Sequence, residues 1–135
     1  MATWEQVRRY ALALPDTVER TSRGSAVWTV NKKLFAWERP LRASDLAALG
    51  DRAPSGDILA LRTAGLEMKE ALLARDPRVY FTTPHFAGYA AVLVVLKRIA
   101  ATELQPAIAE AWLAAAPQKA VRSYLATRKR APWTI

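Results

Sequence analysis

His85 is the only histidine of this chain. It sits in Pro84-His85-Phe86-Ala87-Gly88-Tyr89, a loop punctuated by proline and glycine and rich in aromatic rings. Histidine is the side-chain type that gains and loses a proton near neutral pH, so acid–base chemistry would be sought here first. A general base needs a partner and a substrate within hydrogen-bond reach, and no second catalytic group is spaced to work with His85. A metal site would have to be all carboxylate around this one imidazole, because the chain has no cysteine. Ser22-Arg23-Gly24-Ser25 is not a Gly-x-Ser-x-Gly nucleophile elbow, and no Gly-x-Gly-x-x-Gly or P-loop string occurs; Arg23-Gly24-Ser25 can cradle an anion but reads first as a short loop entering a strand. Asp16 and Glu19 read as solvated charges. The sequence therefore assigns no catalytic residue, no metal ligand and no cofactor. Two roles stay open for the loop. His85 can hold it in shape through backbone hydrogen bonds, or His85, Phe86, Tyr89 and Trp37 can form a ligand loop for a small molecule or a protein partner.

The second chemistry is charge. Twenty Lys+Arg against twelve Asp+Glu give a formal +8, a balance that attracts polyanions through its long-range field. The candidate phosphate contacts are Lys32, Lys33, Arg39, Lys97, Arg98, Lys119, Arg122, Arg128, Lys129 and Arg130. Such groups displace counterions from a nucleic-acid backbone and give affinity with little sequence choice. No recognition-helix signature accompanies them, and a merely solvated basic surface has the same composition. The first expectation is a small non-catalytic protein that contacts DNA backbone non-specifically through basic hairpins and a basic tail. The alternative is a ligand or partner module built on the 82–89 loop.

The elements that must position these groups can be read from periodicity. Thr3-Trp4-Glu5-Gln6 has capping-box spacing, and Trp4, Val7, Ala11 and Leu14 then recur as one face of a helix ended by Pro15-Asp16. Residues 25–38 alternate as a β-hairpin with its turn at Asn31-Lys32, where Asn tolerates positive φ. Residues 40–56 are a connection around a short Asp45–Leu49 helical turn. Residues 58–62 predict a strand, Leu66–Arg75 a helix closed by Asp76-Pro77, and Val79-Tyr80-Phe81 the start of another strand. Ala91–Leu96 is apolar throughout, as expected of a central strand covered on both faces. Thr102 is the expected cap of a last long helix that Pro117 stops. The result is one α+β domain over residues 1–117 with a basic C-terminal extension, 118–135. The longest apolar run falls well short of the ~20 residues of a spanning helix. The N-terminus lacks the basic-then-apolar order of a secretory signal. Both point to a cytoplasmic protein without a membrane partner.

Several strings in this order resemble the MmcQ/YjbR-like family of small bacterial proteins. They are Leu14-Pro15, Val27 to Val30, Lys33-Leu34-Phe35-Ala36, Leu72-Leu73-Ala74-Arg75-Asp76-Pro77, Pro84 to Tyr89, and Ala111-Trp112-Leu113-Ala114-Ala115-Ala116-Pro117-Gln118-Lys119. The resemblance spans roughly residues 3–122. It implies a frataxin-type, CyaY-like fold: an antiparallel sheet with helices packed on one side. It also implies DNA contact through two basic hairpin wings, which would carry over to Lys32 and Lys33 and loosely to the loop around His85. It supplies no catalytic residues. A frataxin-like fold can also suggest iron handling, but that needs an acidic ridge of oxygen ligands, and the first helix carries Arg8 and Arg9 beside a single Glu5.

Overall fold

A computed structural model describes residues 2–129. Helix α1 (Trp4–Leu12) starts with the expected capping box: the Gln6 N–H donates to Thr3 Oγ1 at 3.2 Å, and the Thr3 N–H donates to Gln6 Oε1 at 3.0 Å. Three strands follow, β1 (Thr17–Ser22), β2 (Ser25–Val30) and β3 (Lys33–Glu38), joined by the two-residue turns Arg23-Gly24 and Asn31-Lys32. All four turn residues have positive φ, the geometry that matches a tight turn to the twist of its strands. Strand β1 has too little alternation to be predicted, because as an edge strand it leaves most of its polar side chains in water.

The chain continues through α2 (Ala43–Leu49), β4 (Ile58–Arg62), α3 (Leu66–Arg75), β5 (Tyr80–Phe81), β6 (Ala91–Val95), α4 (Ala101–Ala115) and α5 (Gln118–Lys129). The six strands form one sheet in the order β1-β2-β3-β4-β6-β5, antiparallel at every pairing. Helix α4 begins behind Ala100 with no side-chain cap, so Thr102 lies inside the helix instead of capping it. The C-terminal extension continues as α5, which packs Ala120, Val121 and Tyr124 on the core. Among the described residues, no helix is long and apolar enough to cross a membrane.

One sheet face carries the helices. Leu59, Leu61, Val92 and Val94 meet Val7 of α1 and Leu104, Ile108 and Trp112 of α4, together with Trp28 and Phe35. A shift in register between β2 and β3 at Trp28/Thr29 lets both Phe35 and Ala36 be buried. The two large indoles find acceptors as they are buried. Trp112 Nε1 donates to the Pro15 carbonyl at 3.0 Å, and Trp28 Nε1 donates to Glu19 Oε1 at 2.9 Å. Glu19 also accepts from Arg8 Nε at 2.9 Å, so it is a structural acceptor and not the solvated charge its sequence position suggests.

The opposite face has cover without long helices. Over β4 and β6, Ile58, Ala60, Ala91, Leu93 and Val95 pack under Phe86, with Trp37, Leu41 and Phe81 at the margin. Strand β6 is buried at all five positions, which accounts for its unbroken apolar run. Over β1–β3 this cover stops: Val18 is 45% exposed, and Val27, Leu34 and Trp37 are half-buried.

If the outer face is a second core, Leu93→Ala will cost about 2–5 kcal/mol in urea unfolding. Leu46→Ala, at a position already 47% exposed, will change stability by no more than about 0.5 kcal/mol. Equal effects would show that the outer layer is loosely applied.

Candidate functional site

The 82–89 loop folds on itself. Phe86 N–H donates to Thr83 O, Ala87 N–H to Pro84 O, and Tyr89 N–H to Phe86 O, at 2.9–3.1 Å. Pro84–Phe86 make one tight 3-10 turn, and Gly88 supplies a positive φ of 76°. The clamp on this loop is Lys69 of α3. Its Nζ donates to Phe86 O at 2.6 Å and to Tyr89 O at 2.9 Å, and the residue is only 4% exposed. Burial lowers the Lys69 pKa, partly opposed by the charge of Glu70. The His85 ring makes no hydrogen bond among the described residues. It stands edge-on to Phe86 with centroids 5.1 Å apart, so the shaping role open to His85 falls to Lys69.

A second buried charge secures the other wall. Arg39 leaves the end of β3 and pairs with Asp45 of α2 (Nη1 to Oδ2, 3.0 Å), with side chains 6% and 1% exposed. The same guanidinium lies 5.3 Å from the Phe86 ring centroid. Burial alone would raise the Asp45 pKa. The Arg42 N–H, at 2.9 Å, and the Arg39 charge outweigh it, and the net shift is downward. Arg39 is therefore not a surface cation for phosphate: its charge is consumed inside the protein.

Between these walls lies a cleft of about 610 Å³. Its floor is the uncovered face of β2 and β3, with Val27, Leu34 and Trp37, and its far wall is His85, Phe86 and Tyr89. All four residues of the expected ligand loop thus meet at one site. Phe86 is the centre, with Trp37 at 6.4 Å and Tyr89 at 6.0 Å between ring centroids. Trp28, by contrast, faces the helices. Arg23 and Arg42 also line the cleft, and neither side chain has an ion pair among the described residues. The one lining acid, Glu38, accepts the Ala26 N–H at 2.6 Å.

The phosphate candidates are not gathered in this way. Lys32 and Lys33 lie at one end of the sheet, whereas Lys97 and Arg98 follow β6 at the other. Strands of six residues rising ~3.3 Å each separate those ends by roughly 20 Å. Lys97 there donates to Ser55 Oγ at 2.7 Å, and Arg98 to the Arg78 carbonyl at 3.3 Å. Lys119 and Arg122 are exposed on α5 in the helix layer. Asp16 borders both the shallow cleft of Lys32 and Arg20 and that of Lys119, which places these cations at one end of the molecule. The side chains of Arg128 and Lys129, and Arg130 as a whole, lie outside the described residues.

A smaller cavity of about 410 Å³ opens between α3 and α4 over Leu61 and Val92. Three of its polar groups, Tyr80, Arg75 and Glu103, already satisfy one another. Tyr80 OH donates to Glu103 Oε2 at 2.6 Å, and Arg75 lies 3.4 Å from both. Burial, reinforced by Glu103, raises the Tyr80 pKa.

The comparisons with known proteins agree with this architecture. The YjbR family model matches residues 12–114. The uncharacterized protein Rv2570 of Mycobacterium tuberculosis is 50% identical over 129 residues, covering 93% of this chain and 98% of that protein. Mb2600 of Mycobacterium bovis, also uncharacterized, matches to the same extent. Among solved structures, the Deinococcus radiodurans protein DR2400, with a DUF419 domain, superposes with a TM-score of 0.62 at 19% identity. The alignment covers 84% of this chain and 78% of that one, and it supports the α+β fold.

Removing one partner of the buried Arg39–Asp45 pair strands the other charge. Asp45→Asn should therefore cost about 3–5 kcal/mol at pH 7. Because the folded-state pKa of Asp45 lies below the ordinary 3.8, the pair's contribution is complete above that value and is lost as pH falls through the folded one. Urea unfolding across the acid range should show wild type converging on the variant. A constant gap would mean that the charge of Asp45 is not what matters.

Proposed function

This chain belongs to the YjbR family, and we propose that it is a small, non-catalytic ligand-binding protein whose ligand occupies the outer-face cleft. The observation that carries this reading is the convergence of Trp37, His85, Phe86 and Tyr89 on one cleft whose walls are fixed by buried charges. Ligand sites are concave, mostly apolar and largely pre-formed, with a few polar groups that set orientation. A cytoplasmic setting, which the cysteine-free composition fits, belongs to the same proposal.

A metabolite library screened by thermal shift tests it. A ligand at 100 times its Kd adds about 2.7 kcal/mol of stability. Trp37→Ala and His85→Ala should remove the shift produced by any hit, while Leu46→Ala leaves it intact. A hit whose shift survives both cleft substitutions would place the site elsewhere.

One observation favours a second reading, contact with nucleic-acid backbone. Lys32 is held at φ 68° at a hairpin tip, where a non-glycine residue costs about 1–2 kcal/mol. Strain kept at an exposed turn is a reason to look for function there. Lys33 and Lys119 would complete the patch. In duplex-DNA titrations, three phosphate contacts would give a slope of log K against log[salt] near −2.7. Lys32→Gly with Lys33→Ala should flatten it by roughly two units, even though glycine relaxes the turn. Binding that ignores the double substitution would rule out this patch.

A further inference from the structure

We infer that the cleft selects a planar aromatic ligand bearing an anionic group. The inference rests on the ligand-binding reading above and names its chemistry. Two features of the cleft define the class. The first is aromatic surface left without a partner. Trp37 is half-buried and Tyr89 is 43% exposed, both flanking a Phe86 that is itself 4% exposed. Phe86 already has its own neighbours: Arg39 at 5.3 Å, and the rings of His85, Tyr89 and Trp37 at 5.1–6.4 Å. The indole and the phenol have free surface, and aromatic groups gain from a further ring packed offset or edge-on.

The second feature is the imbalance of available charge. Arg39 also lines the cleft, but Asp45 neutralises it at 3.0 Å. Glu38 keeps its negative charge while accepting the Ala26 N–H at 2.6 Å, so two unpaired guanidiniums face one carboxylate. Arg23, at the tip of the β1–β2 turn, and Arg42, at the start of α2, carry no ion pair among the described residues. Ser22 and Ser25 line the same cleft. Guanidinium groups take carboxylate and phosphate in fork geometry and also stack on flat rings. A neutral aromatic would leave both guanidiniums unused, and a cation would meet repulsion from them. The ring would lie against Trp37 and Tyr89, with its anion toward Arg23 and Arg42.

Carboxylate and phosphate share this chemistry, so the test has an arm for each. Isothermal titration of the full chain would compare 2-naphthoate with 2-naphthalenemethanol and 2-naphthylmethylammonium, and adenosine 5′-monophosphate with adenosine. At least one anion should bind ten-fold or more tightly than its neutral counterpart, and the cation should be weakest. The tighter arm identifies the anion as carboxylate or phosphate. The Arg23→Gln, Arg42→Gln double variant should abolish the preference for the anion while keeping the neutral probe's affinity. Trp37→Ala should weaken both probes. Thermal unfolding within a few degrees of wild type would verify that each variant is folded. Equal binding of anion and alcohol, or a preference for the cation, overturns the ligand class but leaves the cleft as a binding site. Binding of every probe unaffected by Trp37→Ala overturns both the class and the site.

Discussion

A sheet covered by helices on one face must find other cover for the second, because its apolar side chains point to both sides. Here that cover is irregular backbone, and buried irregular backbone brings carbonyls and N–H groups that need partners. The 82–89 loop settles part of this need internally. The carbonyls of Phe86 and Tyr89 face inward, and the Lys69 ammonium reaches them from α3. Each of these carbonyls also accepts a backbone N–H, from Tyr89 and Ala91 respectively, so what Lys69 adds is a tie that fastens the loop above Leu93 and Ala60 to α3. Desolvating an ammonium is itself unfavourable, as the lowered Lys69 pKa shows, so two short hydrogen bonds to carbonyls are what make its burial tolerable. This contact anchors the loop half of the outer layer, as the Arg39–Asp45 pair anchors the α2 half.

The cleft is a consequence of where the cover ends. Phe86 closes the layer over β4 and β6 but reaches only the margin of β3, leaving Trp37 with one side packed and one side open. Arg39 and Asp45 prevent the gap from collapsing, because their pair ties the chain leaving β3 to α2. A concavity held open by buried charges loses little conformational entropy when it is filled, which is the physical meaning of preorganisation. The α3–α4 cavity lacks this character: its tyrosine, arginine and glutamate are already engaged with one another.

What could be read from the sequence divides along physical lines. Helices α1 and α3, the Asn31-Lys32 turn and the apolar β6 are local patterns of capping, spacing and turn chemistry, and local patterns are visible in a string of residues. The aromatic members of the cleft could be nominated because Trp37, His85, Phe86 and Tyr89 are chemically conspicuous. Lys69 could not, since a lysine amid Met68 and Glu70 on a short helix looks like any solvated lysine until the loop seventeen residues away folds over it. Arg39 fails in the opposite sense. Among basic residues it reads as surface charge, and only the approach of α2 turns it inward. The convergence of Arg23 with Arg42 was equally hidden, because it brings together segments nearly twenty residues apart in sequence.

Net charge is the feature most open to over-reading. A formal +8 describes a sum, whereas recognition depends on which cations are unpaired and adjacent. Lys97 and Arg98 are at the far end of the sheet from Lys32 and Lys33, and Arg39 is neutralised by Asp45. The separation alone, well beyond a Debye length of about 8 Å at physiological ionic strength, uncouples the two exposed groups electrostatically. What survives at the Lys32 end is a smaller patch, and its three candidate cations would give weak, strongly salt-dependent contact with a polyanion. Arg23 and Arg42 are fewer still and are themselves exposed, but they border one concave site beside aromatic walls, so a single ligand can meet both charges and a ring at once. Two cations in a cleft can therefore discriminate between ligands in a way that a larger number spread over an open surface cannot.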